Sequence, residues 1–125
     1  MRLKPRFLFL KQQTYVIKAQ AAMPKKGYTY ILTNKNHTVL YTGVTSNLPQ
    51  RMQQHKTGKY KNAFSHRYNV TLLVYYEQYD SIVAAIAREK QIKAGPRQKK
   101  LDMINSLNPE WKDLSEGLPG YKGPS

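Results

Sequence analysis

The sequence contains no cysteine, and this absence excludes several kinds of chemistry. Without thiols the chain can form no disulfide, no thiolate zinc site and no cysteine nucleophile. The absence is also typical of proteins that work in a reducing compartment. We therefore expect a cytoplasmic protein.

Long apolar runs are missing as well. The longest one near the start is Phe7-Leu8-Phe9-Leu10, whereas a membrane span needs roughly 20 residues and a secretory signal about 7–15. No membrane association is therefore expected. Residues 1–26 contain seven Lys and Arg and no acid, so we interpret them as a basic, disordered N-terminal extension.

Acidic residues are few, seven Asp and Glu against 21 Lys and Arg, which gives a formal charge of +14. Clustered cations gain affinity for polyanions because they release counterions condensed on phosphates. The charge therefore favours nucleic acid as partner. A basic protein that is merely soluble, or associated with ribosomes, is the alternative interpretation.

The hydrophobic pattern predicts an α+β domain over residues 27–114, followed by a flexible tail at 115–125. Strand signals cover 28–33 and 39–44, which form a hairpin, and 70–76. Helical signals cover 48–57, a segment after Asp80 or Ser81 that runs to about Lys93, and 97–107 with Leu101, Ile104 and Leu107 as its apolar stripe. We expect Gly95-Pro96 to end the second helix, because glycine can take the left-handed conformation and proline cannot continue a helix. The order β-β-α-β-α-α predicts a small three-stranded, mainly antiparallel sheet covered by about three helices.

Two tyrosine-bearing segments, Tyr28-Thr29-Tyr30 and Tyr41-Thr42-Gly43, flank the predicted hairpin turn. Arg51 and His55 follow on the first helix at i, i+4 spacing, which puts them on the same face. Arginine can grip a phosphate bidentately, and histidine can donate to phosphate oxygens or move a proton. Taken singly, each of the two is most often an ordinary surface residue.

Glu89 interrupts the apolar face of the second predicted helix. A buried, unpaired carboxylate is unfavourable, so Glu89 must meet a cation, a metal ion or water in a cleft. The structural alternative to a functional role is a salt bridge to Arg51 or Lys93. The pattern by itself leaves both open.

A loop predicted over residues 59–69 mixes cations with aromatic rings. Lys59, Lys61 and Arg67 could hold phosphates there, while Tyr60 stacks on a base. The alternative is that its tyrosines only seal the loop.

Taken in order, these residues resemble the GIY-YIG endonuclease superfamily. The resemblance rests on Tyr30-Ile31-Leu32-Thr33-Asn34, Leu40-Tyr41-Thr42-Gly43-Val44, Arg51, His55 and Ala87-Arg88-Glu89-Lys90-Gln91-Ile92-Lys93. It covers residues 27–114 and is strongest to small single-domain bacterial members, which are related to the nuclease domain of the excision-repair incision subunit. The first motif departs from its name, because Gly27 precedes the triplet Tyr28-Thr29-Tyr30 that stands before Ile31.

The resemblance implies catalytic roles for Tyr30, Tyr41, Arg51, His55 and Glu89, with Gly43 as a structural part of the second motif. It implies that Glu89 holds one Mg²⁺ or Mn²⁺ and that the protein hydrolyses phosphodiester bonds of DNA, as in DNA repair. A nearby positive charge is expected to favour the phenolate of the catalytic tyrosine. The family's late asparagine falls on Asn108.

Other interpretations stay open at this stage. The chain could be a nucleic-acid-binding module that has kept the scaffold but cuts weakly or not at all, or it could be a structural protein whose motif tyrosines serve only packing. A protein partner or a second copy of the chain could also supply specificity, since the sequence contains no appended DNA-reading motif.

Overall fold

The structure is a computed structural model that describes residues 25–57 and 67–123. It contains three strands and three α-helices in the predicted order, which confirms the α+β class. The strands are β1 (Gly27–Thr33), β2 (Leu40–Thr45) and β3 (Leu72–Tyr79), and the helices are α1 (Leu48–Thr57), α2 (Ile82–Ala94) and α3 (Arg97–Leu107). A short 3-10 helix, Leu114–Gly117, follows α3.

The sheet is antiparallel throughout, in the order β2-β1-β3. Tyr30, in the middle of the central strand, lies opposite Gly43 on β2 and Tyr76 on β3. A bulge in the pairing between β1 and β3 falls between Ile31 and Leu32. The sheet therefore has two edges, β2 and β3, and β1 is hydrogen-bonded on both sides.

Both faces of the sheet are covered, because successive side chains of a strand point to opposite sides. On one face, Tyr30 and Leu32 pack with Leu48 and Met52 of α1. On the other, Ile31 packs with Val74 of β3, Ile92 of α2 and Ile104 of α3. Helices α1 and α2 therefore lie on opposite faces, and their side chains can meet only around an edge of the sheet.

The helix ends largely follow the predicted chemistry. Ser81 caps α2, and its hydroxyl accepts a hydrogen bond from the backbone N–H of Val83 at 3.1 Å. Gly95 ends that helix where the sequence predicted, in an extended conformation with φ −83° and not in the left-handed conformation that glycine permits. Pro96 follows at once, and the residue before a proline favours extended backbone. Leu107, predicted in the apolar stripe of α3, is 56% exposed.

Strand β3 is shifted toward the C-terminus relative to the predicted 70–76. Its last residues are Glu77, Gln78 and Tyr79, whose polar side chains weaken the strand signal. They nevertheless pair with β1, with Glu77 opposite Thr29 and Gln78 opposite Tyr28. Tertiary pairing has here overridden local propensity.

The C-terminal segment contributes to the core. Part of the stretch predicted as a tail forms the 3-10 helix, in which Ser115 is fully buried, and Leu118 beyond it is 6% exposed. Leu118 packs with the cluster that contains Tyr30. Among the described residues, no helix has the length and apolar character needed to cross a membrane.

Candidate functional site

The Tyr30 ring lies directly over Gly43. A Cβ atom added to that glycine would come within 2.5 Å of both Cζ and Oη of Tyr30, a distance that real Cβ atoms do not tolerate. Since Gly43 belongs to the edge strand β2, the ring crosses from β1 over its neighbour. Glycine at position 43 therefore lets the phenol of a buried central residue extend toward the β2 edge.

His55 of α1 meets the Tyr30 hydroxyl there. Its Nε2 lies 3.3 Å from Tyr30 Oη, and the imidazole is buried, with 7% of the residue exposed. The Tyr41 ring completes an aromatic cluster, with its centroid 5.8 Å from that of His55 and 6.4 Å from that of Tyr30. The two motif tyrosines and the helix histidine thus form one group.

Burial controls the protonation of this group. It lowers the pKa of His55 to about 4, helped by the positive charge of Arg51. It also raises the pKa of Tyr30 well above the usual range, assisted by Tyr41, while Arg51 acts in the opposite direction. At neutral pH the imidazole is therefore uncharged and the phenol keeps its proton. The positive charge of Arg51 does favour the phenolate of Tyr30, but desolvation outweighs it and the phenol stays protonated.

Arg51 lies one helical turn before His55 and is half-buried. Its guanidinium charge acts on the pKa of both Tyr30 and His55. Arg51 and His55, at i, i+4 spacing on α1, therefore both act on the Tyr30 hydroxyl.

Glu89 belongs to α2 on the opposite face, yet its charge reaches the same phenol. Burial is the largest cause of the raised pKa of Tyr30, and the Glu89 carboxylate adds the smallest contribution to it. Glu89 is 8% exposed, and Lys93 Nζ lies 2.5 Å from its Oε2. Of the two predicted salt-bridge partners, Lys93 is the one found at ion-pair distance within the part of the chain that the structure describes.

Two residues for which the sequence indicates no role at α2, Thr29 and Gly27, hold that helix against the sheet. Thr29 Oγ1 donates a hydrogen bond to the Ala85 carbonyl at 2.7 Å. A Cβ atom on Gly27 would lie 2.7 Å from Ala85 Cβ and from Ile82 Cα. A glycine at the first position of a strand and a threonine within the strand are the available signals. These contacts fix the height of α2 and with it the position of Glu89.

The residues around Glu89 suit a hard divalent cation that keeps most of its water. No group of three or more His, Asp or Glu that could enclose a metal occurs among residues 25–57 and 67–123. Mg²⁺ is commonly held by one or two carboxylates together with water and substrate phosphate. One nearly buried carboxylate fits that mode, and it does not fit a dedicated protein cage.

The sequence model of the GIY-YIG catalytic domain matches residues 26–102. The chain belongs to the GIY-YIG family. A UPF0213 protein of Syntrophus aciditrophicus is 41% identical over 85 residues, which cover 68% of this chain and 95% of that protein. A UPF0213 protein of Staphylococcus haemolyticus is 42% identical over 79 residues, which cover 63% of this chain and 94% of that protein. The chain is thus a small GIY-YIG protein with bacterial UPF0213 relatives.

A solved structure is also similar, the solution NMR structure of the UPF0213 protein BH0048 from Bacillus halodurans. It is 24% identical, with a TM-score of 0.46, and the match covers 73% of this chain and 95% of that one.

The remaining predicted residues of this GIY-YIG domain divide into two groups. Lys59, Tyr60 and Lys61 lie outside the described residues, and Arg67 is exposed. Asn108 is buried, and its side-chain amide donates to the carbonyls of Val74 and Lys112 and accepts from the Lys112 N–H. These bonds give Asn108 a structural function in the turn after α3.

Proposed function

We propose that this GIY-YIG protein is a metal-dependent endonuclease that hydrolyses phosphodiester bonds of DNA. One observation carries the proposal. The Tyr30 hydroxyl lies 3.3 Å from His55 Nε2, and the charges of Arg51 and Glu89 both act on its pKa. The phenol thus contacts α1, and charges from α1 and α2, which lie on opposite faces of the sheet, both act on its pKa. A proton-transfer group, a fixed cation and an acid are the components of metal-assisted phosphoryl transfer.

Tyr30 and His55 would orient the attacking water. A neutral imidazole can accept a hydrogen bond at Nε2, and a protonated phenol can donate one. If the Tyr30 O–H donates to His55, the phenolic oxygen is left to accept a hydrogen bond from water. That bond would direct a water lone pair at phosphorus, and the proton lost during attack could follow the same path to the imidazole. Tyr41 would limit the space around this water.

Arg51 would stabilise the charge that develops on the phosphate oxygens. Its guanidinium stays charged at any physiological pH and can contact two oxygens at once. Such fixed donors act without reorganising during the reaction. This role requires the side chain to reach solvent, and Arg51 is only half-buried.

Glu89 would hold one Mg²⁺ or Mn²⁺, which when bound supplies Lewis-acid polarisation of a phosphate oxygen. The family generally uses a divalent metal, and the single carboxylate favours a weakly bound, largely hydrated ion. Metal affinity is then expected to rise when DNA supplies further oxygen ligands.

The charge of +14 favours a nucleic acid as the substrate, and the family resemblance favours DNA. Lys59, Lys61, Arg67 and Tyr60 are proposed to contact the strand beside the site. A partner or a second copy would add specificity, and a cytoplasmic function in DNA repair fits the family resemblance.

A plasmid assay tests the proposal. Supercoiled DNA is incubated with the protein in Mg²⁺, in Mn²⁺ and in EDTA, and complex formation is followed in parallel by gel shift. We expect nicking only with metal, and a loss of about 10²–10³-fold in rate for Arg51→Ala. A protein that shifts DNA without making ends under any of these conditions would instead be a binding module.

A further inference from the structure

The ion pair on α2 joins two side chains with unequal access to water. Lys93 is 55% exposed at its side chain, whereas the Glu89 side chain is 11% exposed. Their spacing is i, i+4 on the helix, the arrangement in which a glutamate precedes the lysine. The lysine can therefore leave into solvent, but the carboxylate cannot.

A nearly buried carboxylate is unfavourable without a partner cation. Lys93 supplies that cation in the metal-free protein, through a contact with Oε2, one of the two carboxylate oxygens that could bind a metal ion. An ammonium group and a metal ion cannot share Oε2 at contact distance, and a metal ion at the other oxygen would be repelled by the neighbouring ammonium charge. The two must therefore compete for Glu89.

We propose that Lys93 is a built-in competitor for the divalent cation at Glu89. It stabilises the carboxylate while the site lacks metal and moves into water when the ion binds. This inference rests on the proposed function, since it takes Glu89 as the metal ligand. The consequence is a protein that folds without metal and binds it only when the ion outcompetes the ammonium group.

Removing the competitor has two linked effects. In Lys93→Met the carboxylate has lost its cation, so the metal-free protein should melt at a lower temperature than the wild type. Metal binding to the same variant should be tighter, because no ion pair has to be broken. A ligand that binds only the folded state raises its stability, so Mn²⁺ should raise the melting temperature of Lys93→Met more than that of the wild type.

The test measures Mn²⁺ binding to the full chain without DNA, by electron paramagnetic resonance of the free ion. Four variants are compared with the wild type: Lys93→Met, Lys93→Arg, Lys90→Met and Glu89→Gln. Lys90 is an exposed lysine on the same helix, and its substitution removes the same charge without touching the ion pair. Lys93→Arg keeps a cation able to pair with Glu89.

We expect Lys93→Met to lower the Kd for Mn²⁺ about two- to fivefold relative to Lys90→Met. This ratio corresponds to the usual free energy of a partly exposed ion pair. Lys93→Arg should bind Mn²⁺ as the wild type does. Equal Mn²⁺ affinities for Lys93→Met and Lys90→Met would overturn the inference about Lys93. A loss of Mn²⁺ binding in Glu89→Gln would in that case still support Glu89 as the metal ligand of the nuclease site. Unchanged binding in Glu89→Gln would overturn both.

Discussion

At the scale of single residues, the site depends on the absence of a side chain at Gly43, because the Tyr30 ring occupies that space. Tyr30 is fully buried, yet its hydroxyl reaches a histidine on α1. It does so because Gly43 on the edge strand leaves room for the ring. Packing against the Tyr30 ring therefore explains why glycine stands at position 43, and no unusual backbone conformation is needed to explain it.

Gly43→Ala should strongly impair DNA cleavage, although the substitution adds only one methyl group. The new Cβ would lie 2.5 Å from the Tyr30 ring, so the phenol must move away from His55. We expect a loss of about 10²-fold in cleavage rate, as small misplacements of reacting groups produce, and a cost of about 1–3 kcal/mol in unfolding free energy.

Gly95→Ala is the matched control for this change. At that position the nearest atom to a new Cβ is 3.6 Å away, and the backbone is extended. Plasmid nicking and urea denaturation of both variants give the comparison. Equal behaviour of the two alanines would show that the ring does not depend on Gly43.

His55 should make the stability of the protein depend on pH in a defined window. Its pKa is about 4 in the folded protein against 6.5 for the ordinary group, so the unfolded chain binds a proton first as pH falls. The neutral imidazole therefore contributes fully above pH 6.5, and this stability is lost progressively between about 6.5 and 4.

The pH dependence can be measured by thermal melting of the wild type and His55→Gln. We expect the advantage of the wild type at pH 7 to shrink by pH 4. The lowered pKa values of Glu77 and Asp113 affect both proteins alike and act at more acidic pH. Parallel curves for the two proteins from pH 7 to 4 would contradict the assignment.

At the scale of secondary-structure elements, the sequence predicted the features that depend on residues close together in the chain. Residues 48–57 and 97–107 became helices with the predicted ends, since caps, prolines and apolar spacing act locally. The end of β3 was missed because Glu77 and Gln78 belong to the strand only through their partners on β1. Contacts between distant segments, such as Thr29 with the Ala85 carbonyl, leave no periodic signal.

The same distinction applies to the site. The spacing of Arg51 and His55 is visible within one helix, and the acid on α2 was identified because it interrupts an apolar face. The sequence could not show which cation Glu89 meets, because helical spacing and charge alone allow both Lys93 and Arg51. Nor could it give the protonation of Tyr30, which depends on burial by α1 and β2.

A polar cluster joins β3 to α2 and should matter for stability. Arg88 donates from Nε and Nη2 to the two carboxylate oxygens of Glu77, at 2.9 and 3.1 Å. Tyr75 and Tyr79 also donate to this carboxylate. Arg88→Met removes the cation and leaves a partly buried charge, so we expect a loss of about 1–3 kcal/mol in unfolding free energy.

Lys112→Met is the control for that variant, since the ion pair of Lys112 with Glu110 is 74% and 70% exposed at the two side chains. It should change stability by less than about 0.5 kcal/mol. Guanidinium denaturation of both proteins checks the pair. Equal losses would mean that the Glu77 cluster is no stronger than a surface ion pair.

At the scale of the whole molecule, the net positive charge and the proposed cleavage site act in different steps, the first in binding and the second in catalysis. The excess of 21 Lys and Arg over seven acids supplies affinity for a polyanion that is independent of sequence. The proposed cleavage site lies between α1, β1 and α2. Binding strength and catalytic rate should therefore respond to different changes in the chain.

Removing residues 1–22 tests this separation. The deletion takes away five cations, Arg2, Lys4, Arg6, Lys11 and Lys18. Every phosphate that is no longer neutralised by one of them should reduce the slope of log K against log salt by about 0.9, as measured by fluorescence anisotropy with a labelled duplex. Cleavage at saturating DNA should be unchanged. An unaltered slope would mean that these cations do not bind DNA.

The central claim is that Glu89 works together with the Tyr30 hydroxyl across the edge of the sheet. The most direct test is single-turnover plasmid cleavage in Mg²⁺ by the wild type, Glu89→Gln and Glu116→Gln, where Glu116 is an exposed acid on the 3-10 helix. We predict a loss of at least about 10²-fold for Glu89→Gln, as for the loss of a group that acts in the transition state, and none for Glu116→Gln. Cleavage at the wild-type rate by a folded Glu89→Gln protein would contradict the claim.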